Sequence, residues 1–285
     1  MIQKLKNIWD ELVCYSIVVW DYIKYSFMGF DKTYISCPDK FKFITLNLRR
    51  EVYHDGEKRW HFRKEQILDF IKHERPHIIC SQEVMPHMFK YLIYKMGNIY
   101  GHYGIDSFNG LQLNHSPILT SEGNTILYDK TKYELLDKGK FWLSDKPNRP
   151  SRTWGNKCLR TCIYVKLQDI NGKIIYVFAT HLDHESANAR KKSAELIAKK
   201  IQEISGDNTF YLCGDFNAII NTEELEAFNI FDNTYNHNKN LTFHCYHKVK
   251  TKVLDAIYYK YDESYQIEIP NIKISDHTPV IIYNK

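Results

Sequence analysis

The sequence predicts an α/β protein in four layers: two packed mixed β-sheets with helices outside, an α/β/β/α sandwich. Three observations lead there. An apolar strand-like run, a run with apolar residues at helical spacing, and a second strand-like run occur in that order twice. Each strand-like run ends on a polar residue, and the two units have similar length: 36 positions from Asn47 to Glu83 and 34 from His181 to Asp215. The stretch YLCGDFNAI (211–219) climbs through apolar residues to Cys213, releases the backbone at Gly214 and delivers Asp215 and Asn217. That places both at the C-terminal edge of a strand, where α/β folds bind ligands. Gly214 suits a tight turn or the close approach of another backbone.

The first forty residues stand apart from this pattern. Leu5, Trp9, Leu12, Ser16, Val19, Trp20, Ile23, Phe27 and Phe30 fall near one helical face, so residues 1–40 read as an amphipathic helical extension of a domain over 41–285. Asp21 and Lys24 interrupt the apolar run short of the ~20 residues a transmembrane helix needs. Asp10, Glu11 and the lack of a small-residue cleavage site argue against a signal peptide. Packing of this face on the main body is the first expectation. Contact with a membrane surface through residues 1–38, with Trp9 and Trp20 at the interface, is the second.

From 41 the elements follow in order. A strand over 41–46 delivers Asn47, a helix over 63–74 carries Ile67, Leu68 and Ile71 on one side, and a strand over 77–81 delivers Gln82 and Glu83. Glu122 precedes a strand at 125–128, and Arg160 opens another after a proline-containing loop at 147–154. A strand over 174–180 delivers His181. Ser186 can cap a helix over 187–204, in which Ala194, Ile197, Ala198 and Ile201 repeat at i, i+3, i+4, i+7. The strand at 210–213 completes the second unit. Next come a short acidic helix near 223–228, a His/Asn/Lys-rich loop around 236–250, and a strand with Leu254, Asp255 and Ile257. Ser275, Asp276 and His277 then precede a closing strand over 279–283. The repeat of the unit suggests an internal duplication with its polar strand ends on one rim.

Composition narrows the class. With 285 residues, 44% hydrophobic and no Pro/Gly/Ser-rich linker, one large domain is expected. A net charge of +5 permits an anionic substrate but lacks the dense basic arm of an obligate nucleic-acid binder. The seven cysteines are scattered, odd in number and without a CxxC pair. That favours a reduced, cytoplasmic setting over a disulfide scaffold, with a membrane-peripheral location as the second option.

Collected at strand ends are Asn47, Glu83, His181, Asp215, Asn217, Asp255, Asp276 and His277. Oxygen ligands without thiolates suit a hard cation such as Mg2+ or Mn2+. Two histidines among carboxylates suit acid/base work and stabilisation of charge at a phosphoryl centre. Taken singly, Asn47, Asn217 and Asp276 are commonplace turn or cap residues. Asp255 differs, because a carboxylate inside an apolar strand needs a partner.

The motifs that carry these residues are TLN (45–47), SQE (81–83), THLDH (180–184), GDFN (214–217), LDAIYY (254–259) and SDHTPV (275–280). In this order they resemble the endonuclease/exonuclease/phosphatase superfamily, which includes DNase I-like nucleases, deadenylases, inositol polyphosphate 5-phosphatases and neutral sphingomyelinases. The bacterial members known mainly by the superfamily name are more similar still, through Trp60 and Arg63, FWLSDKP (141–147), Arg160, and HLDH followed by Ala189 and Arg190. The resemblance implies a DNase I-like fold and a Mg2+- or Mn2+-dependent phosphoric ester hydrolase in which Asn47, Glu83 and Asp276 hold the metal. It implies that Asp215 orients or deprotonates the attacking water, Asn217 contacts the phosphate and His181 donates to a phosphate oxygen. His277, held by Asp255, would stabilise the same charge. Glu122 would orient His181, and Arg160, Asp183 and Arg190 would support the site or touch substrate.

The expected substrate is a phosphoester, nucleic acid first, and no obligate protein partner is inferred. The alternatives are a phosphatase or phospholipase-type hydrolase of a small phosphorylated molecule or lipid headgroup, and a non-catalytic binding module of the same fold. The basic cluster Arg49, Lys58, Arg59, Arg63 and Lys64 would track a nucleic-acid backbone or form a solvated face. Tyr103, Trp142 and Trp154 would flank the cleft or pack internally.

Overall fold

The structure, a computed structural model, describes residues 2–31, 40–246, 251–260 and 264–284. The segment joining the N-terminal helix to the first strand, Cys37 within it, and the end of the His/Asn/Lys-rich loop lie outside the described residues.

Among the described residues each sheet has six strands. The first contains β1 (Lys42–Asn47), β2 (Ile78–Val84), β3 (Tyr100–Asp106), β4 (Gly123–Asp129), β11 (Tyr265–Glu268) and β12 (Val280–Asn284), in the order β11-β12-β1-β2-β4-β3. The second contains β5 (Tyr133–Trp142), β6 (Thr161–Asp169), β7 (Ile174–His181), β8 (Thr209–Asp215), β9 (Asp232–Asn233) and β10 (Asp255–Tyr259), in the order β5-β6-β7-β8-β10-β9. Both sheets are mixed. Each holds one parallel pair at its centre, β1 with β2 and β7 with β8, flanked by antiparallel neighbours.

These parallel pairs are the two units read from the sequence. Their crossovers are α2 (Trp60–Glu74) and α4 (Ala187–Ser205), the latter capped by Ser186, whose hydroxyl accepts from Ala189 N–H. Parallel register places Asn47 opposite Gln82 and His181 opposite Asp215, so the strand ends of both units emerge together. The acidic segment Glu223–Phe228 is a 3-10 turn, and α5 (Thr234–His237) is a single turn.

Burial follows the four layers. Phe43, Ile78 and Cys80 of the first sheet meet Val177, Cys213 and Ile257 of the second in the central core. Ile67, Leu68 and Ile71 of α2 cover the outer face of the first sheet together with α3 (Pro86–Met96). Ala194, Ile197 and Ile201 of α4 cover the outer face of the second. Gly214 lies inside β8 rather than in a turn: a Cβ there would stand 2.0 Å from Thr180 O of β7, so the second of its two expected uses applies.

The N-terminal helix α1 (Ile2–Phe27) corrects one expectation. It packs on the body through Cys14, Val18, Asp21 and Tyr25, and not through the aromatic stripe. Tyr25 meets Tyr91 edge-on with ring centroids 5.3 Å apart, and Asp21 Oδ2 pairs with Lys64 Nζ at 2.8 Å. The stripe expected to pack inward faces solvent, with Trp9 67%, Trp20 65% and Phe27 87% exposed. No helix among the described residues is long and apolar enough to cross a membrane. The six described cysteines are free.

Two further expectations change. Arg63 and Lys64 form no nucleic-acid track: Arg63 donates to the carbonyls of Leu48, Arg49 and Ile274, and Lys64 is buried on Asp21. Tyr103 lies in the central core, Trp142 is buried with Nε1 donating to Ser107 O, and Trp154 Nε1 donates to Asp145, so none of the three lines the cleft.

Candidate active site

At the rim where β1, β2, β7 and β8 end, a cleft of about 380 Å³ is lined by Glu83, His181, Asp215, Asn217, Asp276 and His277. Asn47 ties the two sheets together here. Its Nδ2 donates to Glu83 Oε1 and to Asp215 Oδ2, both at 3.0 Å. Glu83 sits at a β-bulge between Ser81 and Val84 with φ of +58°, a left-handed conformation costing a non-glycine residue about 1 kcal/mol. The bulge breaks the alternation of β2, and Glu83 lines the cleft instead of continuing the ladder.

Asp215 Oδ2 is the hub of the site. Besides Asn47, it faces His181 Nε2 and His277 Nε2, each at 3.6 Å. Asn217 N–H donates to its other oxygen at 2.9 Å. Burial, reinforced by the nearby Asp255 carboxylate, pushes the Asp215 carboxyl up to about 7. Behind His277, Asp255 Oδ2 lies 2.8 Å from Nδ1. Burial alone would lower His277, but Asp255 and then Asp215 outweigh it and raise the ring to about 10. His277 is therefore an imidazolium at neutral pH.

His181 is in the opposite state. Burial and the Arg160 guanidinium hold it well below 6.5, so the ring is neutral. Arg160 Nη1 stands 3.0 Å from His181 Nδ1, and Asn217 Nδ2 stands 2.9 Å from Nε2 while also donating to Leu182 O at 3.1 Å. Both neighbours have only N–H groups to offer, and a neutral imidazole has one acceptor nitrogen. The charged arginine takes that acceptor at Nδ1. The ring N–H on Nε2 then lies beside the Asn217 amide, so that both groups can donate to one anionic oxygen seated against the pair.

Glu122 does not touch His181 directly, a correction to the expected pair. Its carboxylate is shared between Arg160 Nη1 at 3.1 Å and Arg50 Nη1 at 3.0 Å, so that Arg160 stands between it and His181. Arg190 turns away from the cleft, bonding Glu224 and Asp183 O, and so ties α4 to its preceding loop. Asp183 also stays outside the cleft. Its Oδ1 accepts from Glu185 and Ser186 N–H and its Oδ2 from Lys157 and Cys158 N–H, which makes it a loop organiser. His184 does line the cleft.

Sequence reasoning missed Arg50, Cys158, Phe243 and Cys245, which also line the cleft. They sit on loops outside any periodic pattern. Only Arg50 offered a signal, its place three residues after Asn47. Its N–H donates to Glu83 Oε2 at 3.0 Å. Burial works to raise Glu83, and the His181 ring, this N–H, Arg49 and Asn47 outweigh it and hold the carboxyl low. Since His181 is neutral, the N–H groups and Arg49 bear most of that effect.

The residues fit a hard divalent cation. Asp215, Asp255 and His277 each bring one potential ligand atom within 4.8 Å of the others, and with the charged ring paired to Asp255 it is the carboxylate oxygens that a cation would meet. Glu83 and Asp276 add carboxylates to the same cleft, and Asp255 Oδ1 is buried with no hydrogen-bond partner. Burial and the neighbouring Glu83 charge raise the Asp276 carboxyl against the pull of His277 and Arg49. The arrangement is that of a metal-dependent phosphoesterase or nuclease.

Comparison with known proteins agrees. Over 86% of its length the chain is similar to 98% of an endonuclease/exonuclease/phosphatase from Bacteroides vulgatus, at 28% identity and a TM-score of 0.76. A mannosyl-6-phosphatase from Bacteroides thetaiotaomicron shares the fold at 23% identity and a TM-score of 0.75, over 85% of this chain and 98% of that one. So does D. rerio TDP2 complexed with a single-strand DNA product, at 12% identity and a TM-score of 0.64, over 86% and 99%. The model of the Endonuclease/Exonuclease/phosphatase family matches residues 44–277, a span running from β1 to the histidine paired with Asp255, and the chain belongs to that family.

Proposed function

We propose that the protein is a Mg2+- or Mn2+-dependent phosphodiesterase that hydrolyses a nucleic-acid phosphoester by in-line attack of water. The observation that carries this reading is the pair of histidines held in opposite charge states on either side of Asp215. A carboxyl near pH 7 is matched to accepting a proton from water at neutral pH. His277, charged and held by Asp255, offers Nε2–H to the phosphoryl oxygens. His181 Nε2–H and Asn217 Nδ2 converge as neutral donors on a non-bridging oxygen, with Arg160 fixing the tautomer that makes this so. Glu83 and Asp276, with Asn47 beside them, would hold the cation. When bound, it offsets charge on the phosphate and on the leaving oxygen.

The test is hydrolysis of bis-p-nitrophenyl phosphate and of single-stranded DNA and RNA with Mg2+ or Mn2+. Turnover abolished by EDTA and by Asp215→Ala supports the reading. No turnover by the wild type on any phosphoester returns the chain to the binding-module alternative.

A second reading is favoured by the outward apolar face of α1. Here the enzyme would act on a phosphorylated lipid headgroup at a membrane surface, with Trp9, Trp20 and Phe27 at the lipid interface. Flotation with anionic vesicles distinguishes it. Wild type would float and a Trp9→Glu/Trp20→Glu/Phe27→Glu variant would not. Since these side chains do not pack on the body, the variant should keep its fold, and wild type remaining at the bottom of the gradient removes the reading.

A further inference from the structure

A second depression of about 640 Å³ opens beside the catalytic cleft and shares Arg50, Glu122 and Cys158 with it. One wall is the loop after β3, carrying Phe108; the other is the loop before β6, carrying Arg152 and Lys157. Phe108 is 58% exposed, and the backbone that carries it is held. Its N–H donates to Asp106 Oδ1 at 2.7 Å, and the other oxygen of that buried carboxylate takes the hydroxyls of Ser121 and Ser116 further along the loop. The facing wall is fixed as firmly. Asp183 Oδ2 accepts from the N–H groups of Lys157 and Cys158, and Arg152 Nη1 donates to Lys157 O at 2.6 Å.

The charges in this groove are not matched within it. Glu122 is divided between Arg50 and Arg160, so it cannot also neutralise Arg152 and Lys157. The Lys157 contact to Glu185 is an exposed pair at 3.4 Å, of the kind that contributes little. The groove thus presents an uncovered aromatic ring on a held loop on one side and two cations on the other, joined to the scissile site at Arg50.

We propose that this groove is the subsite for the part of a single strand next to the scissile phosphate, with a base stacked on Phe108 and the neighbouring phosphate held by Arg152 and Lys157. The assignment rests on the phosphodiesterase reading above and supplies its substrate class. A small phosphomonoester fits in the catalytic cleft and has no use for a ring and two cations beyond it. A strand places a base and a further phosphate there. Stacking of this kind tolerates every base, so the groove predicts weak sequence preference.

The experiment compares Phe108→Ala, Phe108→Trp and Arg152→Ala/Lys157→Ala with wild type on bis-p-nitrophenyl phosphate and on a ten-residue single-stranded oligonucleotide. Phe108→Ala should raise KM for the oligonucleotide about 5-fold or more, with Phe108→Trp restoring it. Neither should change turnover of the small diester. The double variant should lower the slope of log binding constant against log salt by roughly 0.7 for each lost phosphate contact. Equal effects on both substrates, or no effect on the oligonucleotide, would overturn the proposal. Wild-type turnover of the small diester without cleavage of DNA or RNA would overturn the groove assignment and leave a phosphoesterase. Absence of all phosphoester turnover would remove the reading on which it rests.

Discussion

Asp255 Oδ2 stands 2.8 Å from His277 Nδ1, inside a strand where every neighbour is buried. The pair answers the question that an acidic residue in an apolar run raises. Asp255 is tolerated because it meets a cation, and His277 is a cation because it meets Asp255 and faces Asp215.

This relationship makes the stability of the metal-free protein depend on pH with a definite sign. The folded His277 titrates at about 10, above the 6.5 of an ordinary imidazole, so its stabilising contribution is complete below pH 6.5 and disappears as pH rises through about 10. Asp215, raised to about 7 from 3.8, acts in the same direction over a lower window. In EDTA the guanidinium midpoint should therefore fall between pH 6 and pH 10. Asp255→Asn should flatten the upper part of that fall. A midpoint that is constant or rises over this range contradicts the pairing.

Asp215 is expected to be the residue whose loss costs most in turnover. Asp215→Asn keeps the shape and removes the base, and kcat should drop about 10²- to 10⁴-fold. Because the ionised carboxylate is disfavoured above pH 7, the same variant should be at least as stable as wild type at pH 8 without metal. A loss of kcat below tenfold would assign the proton transfer elsewhere.

Arg160 is predicted to set the charge and tautomer of His181. One nitrogen, Nη1, serves both Glu122 Oε1 and His181 Nδ1, a geometry that a lysine ammonium on a flexible stem does not reproduce. Arg160→Lys should lower kcat about tenfold with a smaller change in KM, and Glu122→Gln should do less. Arg160→Ala should also move the acidic limb of the pH–rate profile upward, because the repulsion that helps keep His181 neutral is gone. An unmoved profile would reduce Arg160 to a packing role.

Much of this architecture was legible because strands announce themselves twice, by period and by what they deliver. Asn47, His181 and Asp215 each close a buried run, and parallel pairing brings such ends to one rim. Arg50 and Phe108 were harder to read because each sits on a loop outside any periodic run: Arg50 is placed by Glu122, 72 positions away, and Phe108 by a turn on Asp106 that says nothing of the groove it faces. The link from Glu122 through Arg160 to His181 joins residues 38 and 21 positions apart on three separate segments, which no local pattern encodes. In α1 periodicity identified a helix but not its inward face. Cys14, Val18 and Tyr25 recur at helical spacing opposite the aromatic stripe, and Lys64 gives Asp21 a partner on the body side.

His87 should limit stability in acid. It lies buried at the start of α3, and neither ring nitrogen has a partner. Burial, with Lys64 nearby, drives it down to about 3. The unfolded chain gains a proton near pH 6.5 that the folded one refuses, so stability is lost as pH falls below 6.5 toward 3. His87→Leu removes the titrating group and the unpaired nitrogens together. Its urea midpoint should fall less than that of wild type between pH 7 and pH 5. Parallel curves for the two proteins would show that the ring finds a partner when charged.

Gly214 should tolerate no side chain. In β8 it pairs with Thr180 of β7, and an added Cβ would come within 2.0 Å of Thr180 O and 2.9 Å of Thr180 C. Both are backbone atoms in a central parallel pair, so no side chain can move aside. The two strands would have to separate one residue before His181 and Asp215, the ends that carry the chemistry. Gly214→Ala is therefore expected to cost about 3 kcal/mol or more and to lower kcat in whatever folds. Gly206→Ala is the control. It sits after α4 with φ of +53° and ψ of −128°, and an added Cβ there meets nothing within 4 Å, so only backbone strain of about 1–3 kcal/mol applies. Denaturation midpoints and kcat for the two variants separate the cases: equal losses of stability, with kcat preserved in Gly214→Ala, would mean that the strand ends are not held by this contact.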